Sequence, residues 1–132
     1  MQNNLTYLRL WLSVGWLLIA LIVYLSLTPH PINAPHFHNS DKVGHLLAYA
    51  ALMGWFSQIY RHASQQIKIA MALVALGVTM EFLQGLTHYR MFDYVDMLAN
   101  SLGVLIGWVV AKTSLGQTLA YLDQRISHRQ GY

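Results

Sequence analysis

Glu81 is the only charged side chain between Lys68 and Arg90, inside a stretch otherwise apolar enough for a membrane helix. A carboxylate in hydrocarbon costs at least about 2.5 kcal/mol even on the mildest insertion scale, so the default reading of such a residue is a functional one. More polar groups follow directly: Gln84, His88, Arg90, Asp93, Asp96 and Asn100. Carboxylates and imidazoles placed this way are the parts of a proton-transfer site. Arginine adds a different capacity, because its planar fork grips phosphate through two parallel charge-assisted hydrogen bonds.

The elements that position these residues follow from composition. The 132 residues are 55% hydrophobic and only 10% charged, against roughly 25% charged in an ordinary soluble domain. This is a membrane composition with room for one domain. The charges are also segregated, leaving four apolar segments at about 8–27, 43–60, 67–86 and 95–111. Each approaches the roughly 20 residues that cross a hydrocarbon core. The fold class expected is all-α: an integral membrane four-helix bundle over 1–111, then a short amphipathic or disordered tail over 112–132. In that tail Leu115, Leu119, Leu122 and Ile126 recur at spacings of four, three and four, as in a helix lying on a membrane surface.

With the N-terminus in the cytoplasm, Arg9, Arg61, Lys68, Lys112, Arg125 and Arg129 fall inside, and only Lys42 and Arg90 fall outside. That asymmetry obeys the positive-inside rule and places both termini in the cytoplasm. The first span lacks a small-residue cleavage site after its apolar stretch and reads as a retained anchor.

This topology brings three polar stripes to one membrane face. Asp41, His45 and Tyr49 recur every four residues; Glu81, Gln84 and His88 follow at three and four; Asp93, Asp96, Asn100, Gly103 and Gly107 follow at three, four, three and four. Polar edges turned toward lipid are unsatisfied, so the stripes should face one another around an outward pocket. The cytoplasmic ends carry no comparable set. Glu81, Asp96 and His45 are the candidate catalytic residues. Arg90, Lys42, Asp41, Gln84, Asp93 and Asn100 are the candidate binding residues. Plainer roles compete: Asp41, Asp93 and Asp96 as helix caps, His45 or Glu81 as interhelical hydrogen-bonding groups, and Lys42 or Arg90 as snorkelling cations. Gly103-x3-Gly107 reads as a helix-packing stripe.

Several classes are excluded or weakened. The chain has no cysteine, which removes thiol catalysis, disulfides and thiolate metal sites. His36-x-His38 with Asp41 and His45 offers metal donors, but a loop with Pro31 and Pro35 does not fix tetrahedral geometry, so neither metal nor cofactor is expected. The net charge of +3 comes without a basic run or stripe, which argues against nucleic acid as a partner. Phosphate loops, G-x-S-x-G elbows and H-E-x-x-H helices are missing from the sequence.

Three motifs carry a family resemblance: Asp41-Lys42-x2-His45, Glu81-x2-Gln84, and Arg90-x2-Asp93-x2-Asp96-x3-Asn100-x2-Gly103-x3-Gly107. In order and spacing the chain resembles the VanZ-like family of small bacterial membrane proteins, whose founding member is associated with teicoplanin resistance. The family commonly places Pro-Gly before the arginine, where this chain has His88-Tyr89. The resemblance implies a four-span protein of the bacterial inner membrane acting on the cell envelope, with a glycopeptide-resistance-type role among its expected phenotypes. The function expected is binding, and with proton transfer modification, of the headgroup of a membrane lipid or lipid-linked envelope precursor. A non-catalytic membrane subunit or regulator and a proton-coupled small transporter are the alternatives, and a homodimer remains open.

Overall fold

A computed structural model describes residues 5–27, 40–86 and 94–130, with side chains from Val43 onward in the second segment. The regular elements are helical: α1 (Leu8–Leu27), α2 (Ser40–Ile59), α3 (Ala63–Leu86), α4 (Tyr94–Ala111), a 3-10 turn over Ser114–Gln117, and α5 (Thr118–Gln130). The chain is all-α, as its composition predicts. Three helices, α1, α3 and α4, are long and apolar enough to cross a membrane by length and composition.

The remaining long helix, α2, differs in kind from its neighbours. It is as long as α1 but carries Asp41, Lys42, His45, Ser57 and Gln58, which lower its hydropathy. The fold places it at the centre. Tyr49, Leu52, Met53, Phe56, Ser57, Gln58 and Ile59 are all buried, and α2 packs against α1, α3, α4 and α5. A helix with polar side chains is best kept where protein groups rather than lipid surround it.

The α2–α4 pair is the most extensive contact in the molecule. A Cβ at Gly103 would collide with the Leu46 carbonyl, and one at Gly107 with the Ala50 carbonyl. The glycine stripe therefore lets the two backbones touch. Both numbers rise together along the contact, so α2 and α4 run parallel. The α3–α4 pair runs the other way, since Trp108 Nε1 donates to Gln66 Oε1 at 2.9 Å while Gly77 lies against Asn100.

The end that holds the starts of α1 and α3 is closed by a polar network the sequence did not announce, and the expectation that this end carries no comparable polar set is corrected here. Ser64, Gln65 and Gln66 form the first turn of α3. Gln66 Nε2 donates to the Ser57 and Tyr60 carbonyls at 3.2 and 3.1 Å, satisfying acceptors that the end of α2 leaves open. The tail is not disordered over its described length. Leu119 is buried with Trp11 and Ile59, its N–H donates to Gln58 Oε1 at 2.9 Å, and Arg61 Nη1 donates to the Gly116 carbonyl at 3.0 Å. Leu115 and Leu122, expected on the same apolar face, remain exposed.

Candidate functional site

At the opposite end, five polar side chains from three helices are buried. Tyr49 comes from α2, Glu81 and Gln84 from the last turns of α3, and Asp96 and Asn100 from the first turns of α4. Glu81 is 1% exposed, Asn100 2% and Asp96 6%. Each sits one helical turn from a residue that fixes its place. Gly77 presses so closely on Asn100 that a Cβ there would lie 2.9 Å from Nδ2. Along antiparallel helices, one turn onward from Gly77 and one turn back from Asn100 bring Glu81 and Asp96 to the same level. The Tyr49 hydroxyl lies within electrostatic reach of Glu81. Gln84 Nε2 donates to the Ser26 carbonyl at 2.7 Å, which ties α3 to the end of α1.

Buried polar atoms without a partner occur at both ends, Ser57 Oγ and Gln65 Oε1 at the first, but here they gather on one asparagine and a tyrosine. Among the described residues, Asn100 Oδ1, Asn100 Nδ2 and the Tyr49 hydroxyl are buried without a partner. An asparagine carries two donor hydrogens and two acceptor lone pairs, and leaving a buried polar group unsatisfied costs about 1–3 kcal/mol. A bundle seeking only stability would place leucine there. Two carboxylates at one level beside a hydroxyl and a carboxamide can pass a proton, and together they can accept and donate to a polar guest.

Of the expected site residues, Glu81, Gln84, Asp96 and Asn100 are brought together. His45 lies one turn before Tyr49 on α2 and is half-buried. Asp41 and Lys42 begin α2, and their side chains lie outside the described set, as do Arg90, Asp93 and the loop histidines His30, His36 and His38. Tyr49, named only as part of a stripe in the sequence, is a member of the cluster; its four-residue spacing from His45 was the available signal. The described grooves lie elsewhere, one between α1 and α3 and others along α1 and α5. The mouth of the expected outward pocket, at Asp41, Lys42, Arg90 and Asp93, lies outside the described side chains.

Asp123 escaped sequence reasoning altogether. It is 3% exposed and accepts hydrogen bonds from Thr6 N–H at 2.8 Å, Tyr7 N–H at 2.9 Å and Trp11 Nε1–H at 2.9 Å. The carboxylate of α5 thus caps the start of α1. Its signal was present: Leu119, Asp123 and Ile126 share one helical face.

Over residues 14–116 the chain matches the VanZ/LLP1 family, and it belongs to that family. An uncharacterized protein of the fission yeast Schizosaccharomyces pombe is 32% identical over 98 residues, which is 70% of this chain and 56% of the relative. The chain thus spans little more than half that relative's length. A yeast relative also widens the family beyond the bacterial setting that the resemblance implied. No solved structure matches the chain.

Proposed function

We propose that the Glu81–Asp96–Asn100 cluster binds the polar headgroup of a membrane lipid or lipid-linked precursor at the outer face of a cytoplasmic membrane. In this reading α2 is a fourth pass, shielded by α1, α3 and α4, and both termini are cytoplasmic. The observation that carries the reading is the pair of open Asn100 atoms and the open Tyr49 hydroxyl, on helices that also bury Glu81 and Asp96. These are groups suited to the hydroxyls and amides of a headgroup. Arg90 and Lys42 hold its phosphate, with Asp41, Gln84 and Asp93 shaping the rim. Glu81 and Asp96, with His45 alongside, move the proton if the bound headgroup is also altered.

Proton-coupled transport fits less well, because an exchanging acid belongs near the midplane. Glu81 stands five residues before the end of α3, about 8 Å at 1.5 Å per residue. Native mass spectrometry of gently purified protein tests the proposal. One class of lipid should remain bound, Arg90→Ala should release it, and Glu81→Gln should keep it bound while stopping any conversion. Retention without selectivity, or selectivity indifferent to both Arg90→Ala and Asn100→Leu, refutes it.

A further inference from the structure

A second lipid-facing feature lies at the other end of α3. Trp16 and Ile19 of α1 and Ile69 and Leu73 of α3 wall a groove of about 480 Å³ whose floor is Phe56 of α2. Trp16 is 64% exposed and stands edge-on to Phe56, with ring centroids 6.3 Å apart. The volume falls in the range of small-ligand sites, roughly 300–1,000 Å³. Lys68 and Gln65 line the same groove from the first turns of α3. Lys68 is separated from Glu81 by thirteen residues, about 20 Å along the helix. The groove and the polar cluster are different sites.

Charge decides what the groove holds. The chain has five acidic residues. Asp41, Glu81 and Asp96 belong to the opposite ends of their helices, and Asp93 immediately precedes α4. Asp123 is occupied by Thr6, Tyr7 and Trp11. No acid of this chain is left to pair with Lys68, an exposed cation at the end of an apolar trough on a membrane-facing wall. A lysine so placed lays its methylenes along the trough and turns its ammonium to the interface.

The geometry points to a selective site for an anionic phospholipid in the leaflet at the Lys68 end: one acyl chain lies in the groove against Trp16, Phe56 and Leu73, and its phosphate rests on Lys68. Gln65 offers a carboxamide beside that phosphate. Any groove in a membrane-facing wall fills with acyl chain; the cation makes the choice of headgroup.

The test uses the full-length, delipidated protein in detergent, presented with equimolar dioleoylphosphatidylglycerol and dioleoylphosphatidylcholine and read by native mass spectrometry. Wild type should retain phosphatidylglycerol in preference, by roughly fivefold, because both lipids offer a phosphate to Lys68 but the quaternary ammonium of phosphatidylcholine repels it. Lys68→Gln should erase the preference. Ala72→Phe, which fills the groove from an exposed position, should lower retention of both lipids. Both substitutions lie on the surface, and an unchanged helical circular dichroism spectrum shows that each variant folds. Lys112→Gln, which removes the same charge beside Trp108 and outside the groove, should leave the preference in place. A preference that survives Lys68→Gln, or one that Lys112→Gln removes equally, overturns the inference.

Discussion

Replacing Asp123 by asparagine keeps the shape of the side chain and removes its charge. The carboxylate serves Tyr7 N–H and Trp11 Nε1–H through Oδ1 and Thr6 N–H through Oδ2. A carboxamide retains one oxygen and turns its NH2 toward the remaining donor. Hydrogen bonds to a charged group contribute about 1.5–3 kcal/mol each and a helix cap about 1 kcal/mol, and such neighbouring terms do not simply add, so a loss of about 2–3 kcal/mol is expected. Reversible unfolding in mixed micelles, followed by tryptophan fluorescence, measures it. The pH dependence gives a second reading. Burial alone pushes the Asp123 carboxyl up, but the bonds from Trp11, Tyr7 and Thr6 outweigh it and hold the group below the usual carboxylate range. The folded protein therefore binds this proton less readily than the unfolded chain. The stabilisation is complete above the ordinary carboxylate value and disappears as pH falls through the lower folded value. The gap between wild type and Asp123→Asn should accordingly narrow in acid. A variant within about 0.5 kcal/mol of wild type, or a gap indifferent to acid, refutes the capping role.

Other substitutions probe the remaining features. Asn100→Leu, nearly isosteric, removes two open polar atoms and should raise stability by about 1–2 kcal/mol while abolishing selective lipid retention; lower stability with retention intact would make Asn100 a packing residue. Gly107→Ala drives a methyl into the Ala50 carbonyl and should destabilise by about 1–3 kcal/mol, read by the same unfolding assay. Gln66→Leu strands the Ser57 and Tyr60 carbonyls and the Trp108 indole and should lower stability by about 2–3 kcal/mol, whereas a neutral result would mean that water replaces Gln66.

The polar cluster was largely legible because membrane sequences make expensive residues conspicuous. Glu81 and Asn100 stand out against apolar neighbours, and helical spacing alone groups them with Gln84 and Asp96. What the spacing could not tell was how closely α3 and α4 approach, which Gly77 sets against Asn100. Nor could it rank the helices. On a hydropathy scale α2 is the weakest of the four segments, and that weakness is the mark of the most enclosed one. Gly103 and Gly107 declared a close contact without naming α2 as its partner. Asp123 was passed over for a different reason: the leucines of the tail drew the eye to a membrane surface, while Leu119 and Ile126, on the face that carries Asp123, pack on Trp11 and Ile59.

The bond between Trp11 and Asp123 joins two residues that both fall outside the stretch matched to the family, residues 14–116. The family match and the packing thus have different extents in this molecule. A fragment cut to the matched stretch would keep every member of the buried cluster yet lose the clasp that fastens the first helix to the last. Fragments meant to isolate the buried cluster should therefore retain both ends, and two chains alike over the matched segment can differ in durability through the residues that flank it.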